Sequence, residues 1–88
     1  MRQYTYTLRH HDVDRNGGFR DVIGSTILLE SIVKIDPVFC DFEETPHVHK
    51  IRIFMKDMPK PIIIGFVDAA SAEAAQKHLV DAWGMALQ

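Results

Sequence analysis

Apolar and polar residues alternate with period two over Tyr4-Thr5-Tyr6-Thr7-Leu8, which predicts a strand across residues 3–10. Tyr4, Tyr6 and Leu8 would share one face, and Thr5, Thr7 and Arg9 the other. The following His11-Asp12-Val13-Asp14-Arg15-Asn16-Gly17-Gly18 has loop chemistry: Asp and Asn bond their own backbone, and glycine accepts positive φ. From Thr26 to Ile35 the chain is rich in β-branched residues. Ile27, Leu29, Val33 and Ile35 share one parity, and Leu28, Ile32 and Lys34 the other. A strand kinked by a bulge near Glu30-Ser31 is expected, with a helix from about Ser25 to Val33 as the alternative. Pro37 stops that segment, Val38–Phe42 resumes an extended run, and residues 43–46 read as a loop.

Val48 to Met55 predicts a strand with Ile51, Ile53 and Met55 on one face and Lys50 and Arg52 on the other. Two prolines in Lys56-Asp57-Met58-Pro59-Lys60-Pro61 remove ladder donors and mark a turn. Ile62-Ile63-Ile64-Gly65-Phe66-Val67 completes a hairpin with 48–56. The period then changes. Ala72, Ala75, Leu79, Ala82, Trp83 and Ala86 recur at three- and four-residue intervals, the stripe of an amphipathic helix. Asp68 or Ser71 would cap it, Glu73 is expected in its first turn, and Glu73 and Lys77 are spaced for an ion pair. Nothing breaks this helix before Gly84. The pattern predicts a single α+β domain over residues 1–88, a curved antiparallel sheet of four to five strands packed against one C-terminal α-helix.

One helix covers one sheet face, and a strand with its other face in water should alternate. Residues 62–67 do not: Ile62, Ile64 and Phe66 point one way, Ile63 and Val67 the other. The segment at Thr26–Leu29 is also apolar on both parities. Two expectations follow. A second copy of the chain covers the other face, with Ile63, Val67 and Leu28 as interface residues, or the sheet curls into a partly closed barrel.

Composition narrows the classes further. At 88 residues the chain buries only about 60–65% of its unfolded surface, which makes self-association a natural source of stability. The single cysteine, Cys40, excludes an internal disulfide and fits a reducing, cytoplasmic setting as a small buried hydrophobe. No apolar run approaches the roughly 18 residues of a membrane span, so no membrane role is expected. The net charge of −2, with Lys34, Lys50, Arg52, Lys56 and Lys60 scattered among acids, argues against a nucleic-acid partner. Five histidines would carry the charge from −2 to +3 on full protonation.

Two short patterns carry candidate chemistry. Asp12-x-Asp14-x-Asn16-Gly17 resembles the first half of a calcium-binding EF-hand loop, but its twelfth position is Ile23 and lacks the bidentate Glu. A simple Asx turn explains the same residues. His47-x-His49 would place two imidazoles on one side of a strand, half of a metal site, with His10, His11, Asp12, Cys40, Glu43, Glu44 or His78 as possible further ligands. The candidate metal ligands are therefore His47, His49, Asp12, Asp14 and Asn16. No nucleophile elbow and no phosphate loop is visible, so no cofactor is expected. The residues favour a non-catalytic interaction module that self-associates through a sheet face or edge and is able to take a protein partner. The alternative is a small-ligand or metal-binding domain built from the His/Asp-rich loops.

Overall fold

The computed structural model describes residues 4–13, 18–41 and 48–87. The first two strands, β1 (Thr5–Val13) and β2 (Phe19–Leu28), form an antiparallel ribbon running from the Thr5↔Leu28 pair to the Val13↔Phe19 pair. Extended chain thus reaches three residues beyond the expected end at His10. Between the pairs Thr7↔Thr26 and Arg9↔Ile23, β1 advances two residues and β2 three, so β2 carries one extra residue and bulges.

The kink expected at Glu30-Ser31 is a single 3-10 turn over Leu29–Ser31 and not a bulge, and no α-helix forms across residues 25–33. It moves the chain from the ribbon to a second sheet. It is pinned on one side by the Leu29 N–H, which donates to the Tyr4 carbonyl, and on the other by the Lys56 N–H, which donates to the Ser31 carbonyl. Three residues of tight turn also reset the alternation. Ile27 and Leu29 are buried, and beyond the turn Ile32, of the other parity, takes the next core position while Val33 turns outward.

The second sheet has four strands: β3 (Ile32–Ile35), β4 (Phe39–Asp41), β5 (Val48–Met55) and β6 (Ile62–Phe66). β6 covers one edge of β5, while β3 and β4 share the other. β3 pairs along Ile53–Met55 and β4 along Val48–Lys50. Pro37, with no N–H to donate, lies in the gap between those two short strands. The α+β arrangement is the expected one. Among the described residues six strands divide into the two-stranded ribbon and a four-stranded sheet that packs against the helix.

The helix α1 (Ala69–Ala86) closes the core. Asp68 is its N-cap: its carboxylate accepts from the Ser71 N–H at 2.6 Å and from the Ser71 hydroxyl at 2.9 Å. These bonds hold the Asp68 carboxyl below its ordinary range. Because the cap is Asp68, the first turn spans residues 69–72 and contains no acid, so Glu73 lies beyond it. Gly84 does not end the helix, which continues to Ala86. Ala72 and Leu79 are buried against Leu8, Leu29, Ile51, Ile53, Ile64 and Phe66, with Ala75, Ala82, Trp83 and Ala86 packed around them. No helix among the described residues is long and apolar enough to cross a membrane.

Among the described residues the larger sheet does not close into a barrel, and its outer face carries cations beside the apolar residues of β6. Ile63 is 53% exposed, and its cross-strand neighbour is Arg52. The Arg52 guanidinium lies 4.3 Å over the Phe39 ring, the Lys34 ammonium lies 5.3 Å over Phe54, and Lys34 pairs with Asp36 at 3.1 Å. Long cationic side chains thus cover the aromatic groups with their own stems and heads. Gly65 leaves this face without a side chain at its position, because a Cβ there would stand 2.8 Å from Val48 Cγ1.

A candidate ligand groove between ribbon and helix

β1 runs beside β6, but no ladder joins them, which is why the strands divide into two sheets. Where the ribbon departs, α1 lies across the opening. The result is a half-open groove of about 550 Å³, lined by Tyr6, Thr7, Leu8 and Arg9 of β1, Asp21 of β2, Ile64 and Phe66 of β6, and Ala74, Ala75, His78 and Leu79 of α1. The floor is apolar: Leu8, Ile64, Phe66 and Leu79 are all buried. Two alanines on the helix wall leave room that larger side chains would fill.

Polar groups gather at the rim. The Tyr6 hydroxyl and His78 Nδ1 are 2.8 Å apart and tie β1 to α1 across the groove, with their rings tilted at 5.7 Å between centroids. Burial raises the Tyr6 phenol above its ordinary range, and the nearby positive charge of Arg9 opposes that rise. Among the described residues no carboxylate pairs with the Arg9 guanidinium, a planar set of N–H donors.

Asp21 is held by His11. The Val67 N–H donates to His11 Nδ1 at 3.2 Å, so that nitrogen carries a lone pair, and Nε2 bears the proton that faces Asp21 Oδ1 at 3.1 Å. The backbone of Val67 thereby fixes one tautomer of His11. The His11 ring edge rests on Phe66 at 5.1 Å between centroids. His11 is therefore the clip that fastens the ribbon to the end of β6.

The residues singled out from the sequence fall in several places. Of the proposed metal ligands, His47, Asp14 and Asn16 lie outside the described residues. Asp12 is on the ribbon, ion-paired with Arg20 at 3.3 Å. His49 is on β5, between Cys40 of β4 and Phe66 of β6 in register. Among the described residues no three His, Cys, Asp or Glu side chains come together as a metal site. His11 and His49 do both lie close enough to lower the Asp68 carboxyl further, but that carboxylate is committed to the helix cap.

The proposed interface residues are also dispersed. Leu28 is 50% exposed on the ribbon, Ile63 is on the larger sheet, and Val67 is partly buried beside His11. Among the groove residues, Arg9 and Asp21 carry no local sequence signal. His78 has a faint one, since it follows Ala75 by three and precedes Leu79 by one and so borders the helix stripe.

Comparison with protein-family models, with curated proteins and with solved structures finds no match to this chain. The functional reading rests on the groove itself.

Proposed function

We propose that this chain is a non-catalytic small-ligand-binding domain whose site is the groove between the β1–β2 ribbon and α1. The observation that carries the reading is the convergence of polar rim groups from separate elements over one buried apolar floor. Tyr6 and Arg9 come from β1, Asp21 from β2 and His78 from α1. A concave apolar site with a few oriented polar groups is the usual form of a small-molecule pocket, and about 550 Å³ is ample for a metabolite. The lone cysteine suits a reducing compartment, which supports a cytoplasmic place of action.

The test is a small-molecule library screened by thermal shift against the native chain and against Ala75→Phe, which fills the groove from the helix wall. Ligands that raise the melting temperature of the native chain and fail with the folded variant support the reading. Equal responses from both proteins would refute it.

Self-association is the second reading, favoured by the outer edge of β2. That edge pairs with no strand among the described residues, and the ribbon leaves Ile23 67% and Leu28 50% exposed. Sedimentation at tens of micromolar decides it: a dimer supports this reading, and a clean monomer dismisses it.

A further inference from the structure

The groove holds two opposite charges that do not meet. Arg9 stands opposite Ile23 in the ribbon, and Asp21 is two residues from Ile23 on the same face. They are therefore diagonal cross-strand neighbours, a relation that places Cα atoms roughly 7–8 Å apart. Among the described residues Arg9 makes no ion pair, while one Asp21 oxygen, Oδ1, accepts from His11 Nε2 at 3.1 Å. A carboxylate ligand alone would answer Arg9 and be repelled by Asp21. An amine alone would answer Asp21 and be repelled by Arg9.

A head that carries both charges on one carbon satisfies each. Each charge can be met by one charge-assisted hydrogen bond of about 2.8 Å, the carboxylate on the guanidinium and the ammonium on the Asp21 carboxylate. Below the rim, Leu8, Ile64, Phe66 and Leu79 offer the same ligand an apolar floor.

We propose that the groove binds a free α-amino acid with an apolar side chain, its carboxylate on Arg9 and its ammonium on Asp21. This rests on the reading of the groove as a ligand site and adds the chemical class. Tyr6 and His78, bonded to each other, close the helix side and leave the charged pair to orient the head. The buried floor sets the preference for an apolar over a polar side chain.

The experiment is calorimetric titration of the native chain with L-leucine, 4-methylpentanoate, 3-methylbutylamine and glycine. The first two differ by the ammonium, the first and third by the carboxylate, and the first and last by the side chain. Removing either charged group from the ligand should weaken binding by about tenfold or more, because one charge-assisted hydrogen bond goes with it. L-leucine is therefore expected to bind at least about tenfold tighter than any of the other three.

Arg9→Met, which keeps the apolar stem, should remove the advantage of leucine over 3-methylbutylamine. Asp21→Asn, which still accepts from His11, should remove its advantage over 4-methylpentanoate. Either analogue binding as tightly as leucine, or leucine binding unchanged by both variants, would overturn the zwitterion while leaving the groove intact as a site. Absence of leucine binding at millimolar concentration would also overturn it. The groove itself stands or falls separately, on whether Ala75→Phe abolishes the library responses.

Discussion

Gly65→Ala tests the packing of the larger sheet at one atom. The glycine is on β6 opposite Lys50, and the Cβ of an alanine would stand 2.8 Å from Val48 Cγ1. Ordinary carbon contacts lie near 3.5–4.0 Å, so the two groups must separate by roughly 1 Å. Val48 is β-branched and stiff about χ1, and it sits in the first position of β5, so the sheet must give with it. Overpacking of this kind costs about 1–3 kcal/mol. Removing a glycine from the unfolded chain returns about 0.4–1 kcal/mol.

The net expectation is a loss of about 1–2 kcal/mol, which for a domain of this size lowers the melting temperature by roughly 5–15 °C. Thermal and urea unfolding of four proteins measure it: native, Gly65→Ala, Val48→Ala and the double variant. In the double variant the clash is gone, so its destabilisation should be smaller than the sum of the two single effects. A Gly65→Ala variant as stable as the native chain would refute this packing. So would a destabilisation of the same size in the Val48→Ala background, because the coupling would then be zero.

Two further expectations concern titrating groups. The Asp68 carboxyl has its pKa lowered by the bonds from Ser71, so its contribution to stability is present above the ordinary carboxylate pKa and is lost as pH falls through the lower folded value. The protection factor of the Ser71 amide, its exchange rate relative to the intrinsic rate at the same pH, should fall as Asp68 protonates, and Asp68→Ala should show the low protection already at neutral pH; unchanged protection in that variant would remove the cap from the account of α1. Tyr6 is shifted the other way, so its contribution is present below the ordinary phenol value of about 10 and is lost as pH rises through the raised folded value. In a Tyr4→Phe background, which leaves Tyr6 as the one phenol of the chain, phenolate absorbance should rise above that ordinary value, and a rise centred at or below it would contradict the burial of this hydroxyl.

The elements legible in the sequence are those whose own period declares them. The alternation in Tyr4–Leu8, the β5–β6 hairpin around its two prolines, and the stripe from Ala72 to Ala86 all read directly. What stayed hidden depends on contacts distant in the chain or on changes of direction. A three-residue turn at Leu29–Ser31 leaves no periodic trace, yet it carries the chain from the ribbon to the larger sheet and puts Ile32, and not Val33, in the core.

The apolar residues of β6 suggested a covered second face. In this chain Arg52 and Lys34 lay cations over two of the aromatic rings at that sheet, a mixed surface that the apolar run of β6 does not announce. The groove was the least legible feature. Tyr6 and His78 are 72 residues apart, and only the departure of the ribbon from β6 brings them together. Histidine pairs and an Asp/Asn loop drew attention because they are local patterns, whereas Arg9 and Asp21 become a pair only through the register of β1 on β2.

The most direct test of the groove is amide-resolved NMR of the native chain during titration with L-leucine and with the ligands found in the library screen. Perturbations centred on Tyr6, Leu8, Arg9, Phe66, His78 and Leu79 are the predicted result. Perturbations centred instead on Lys34, Phe39, Arg52 and Ile63 would place binding on the outer face of the larger sheet and contradict the groove as the functional site.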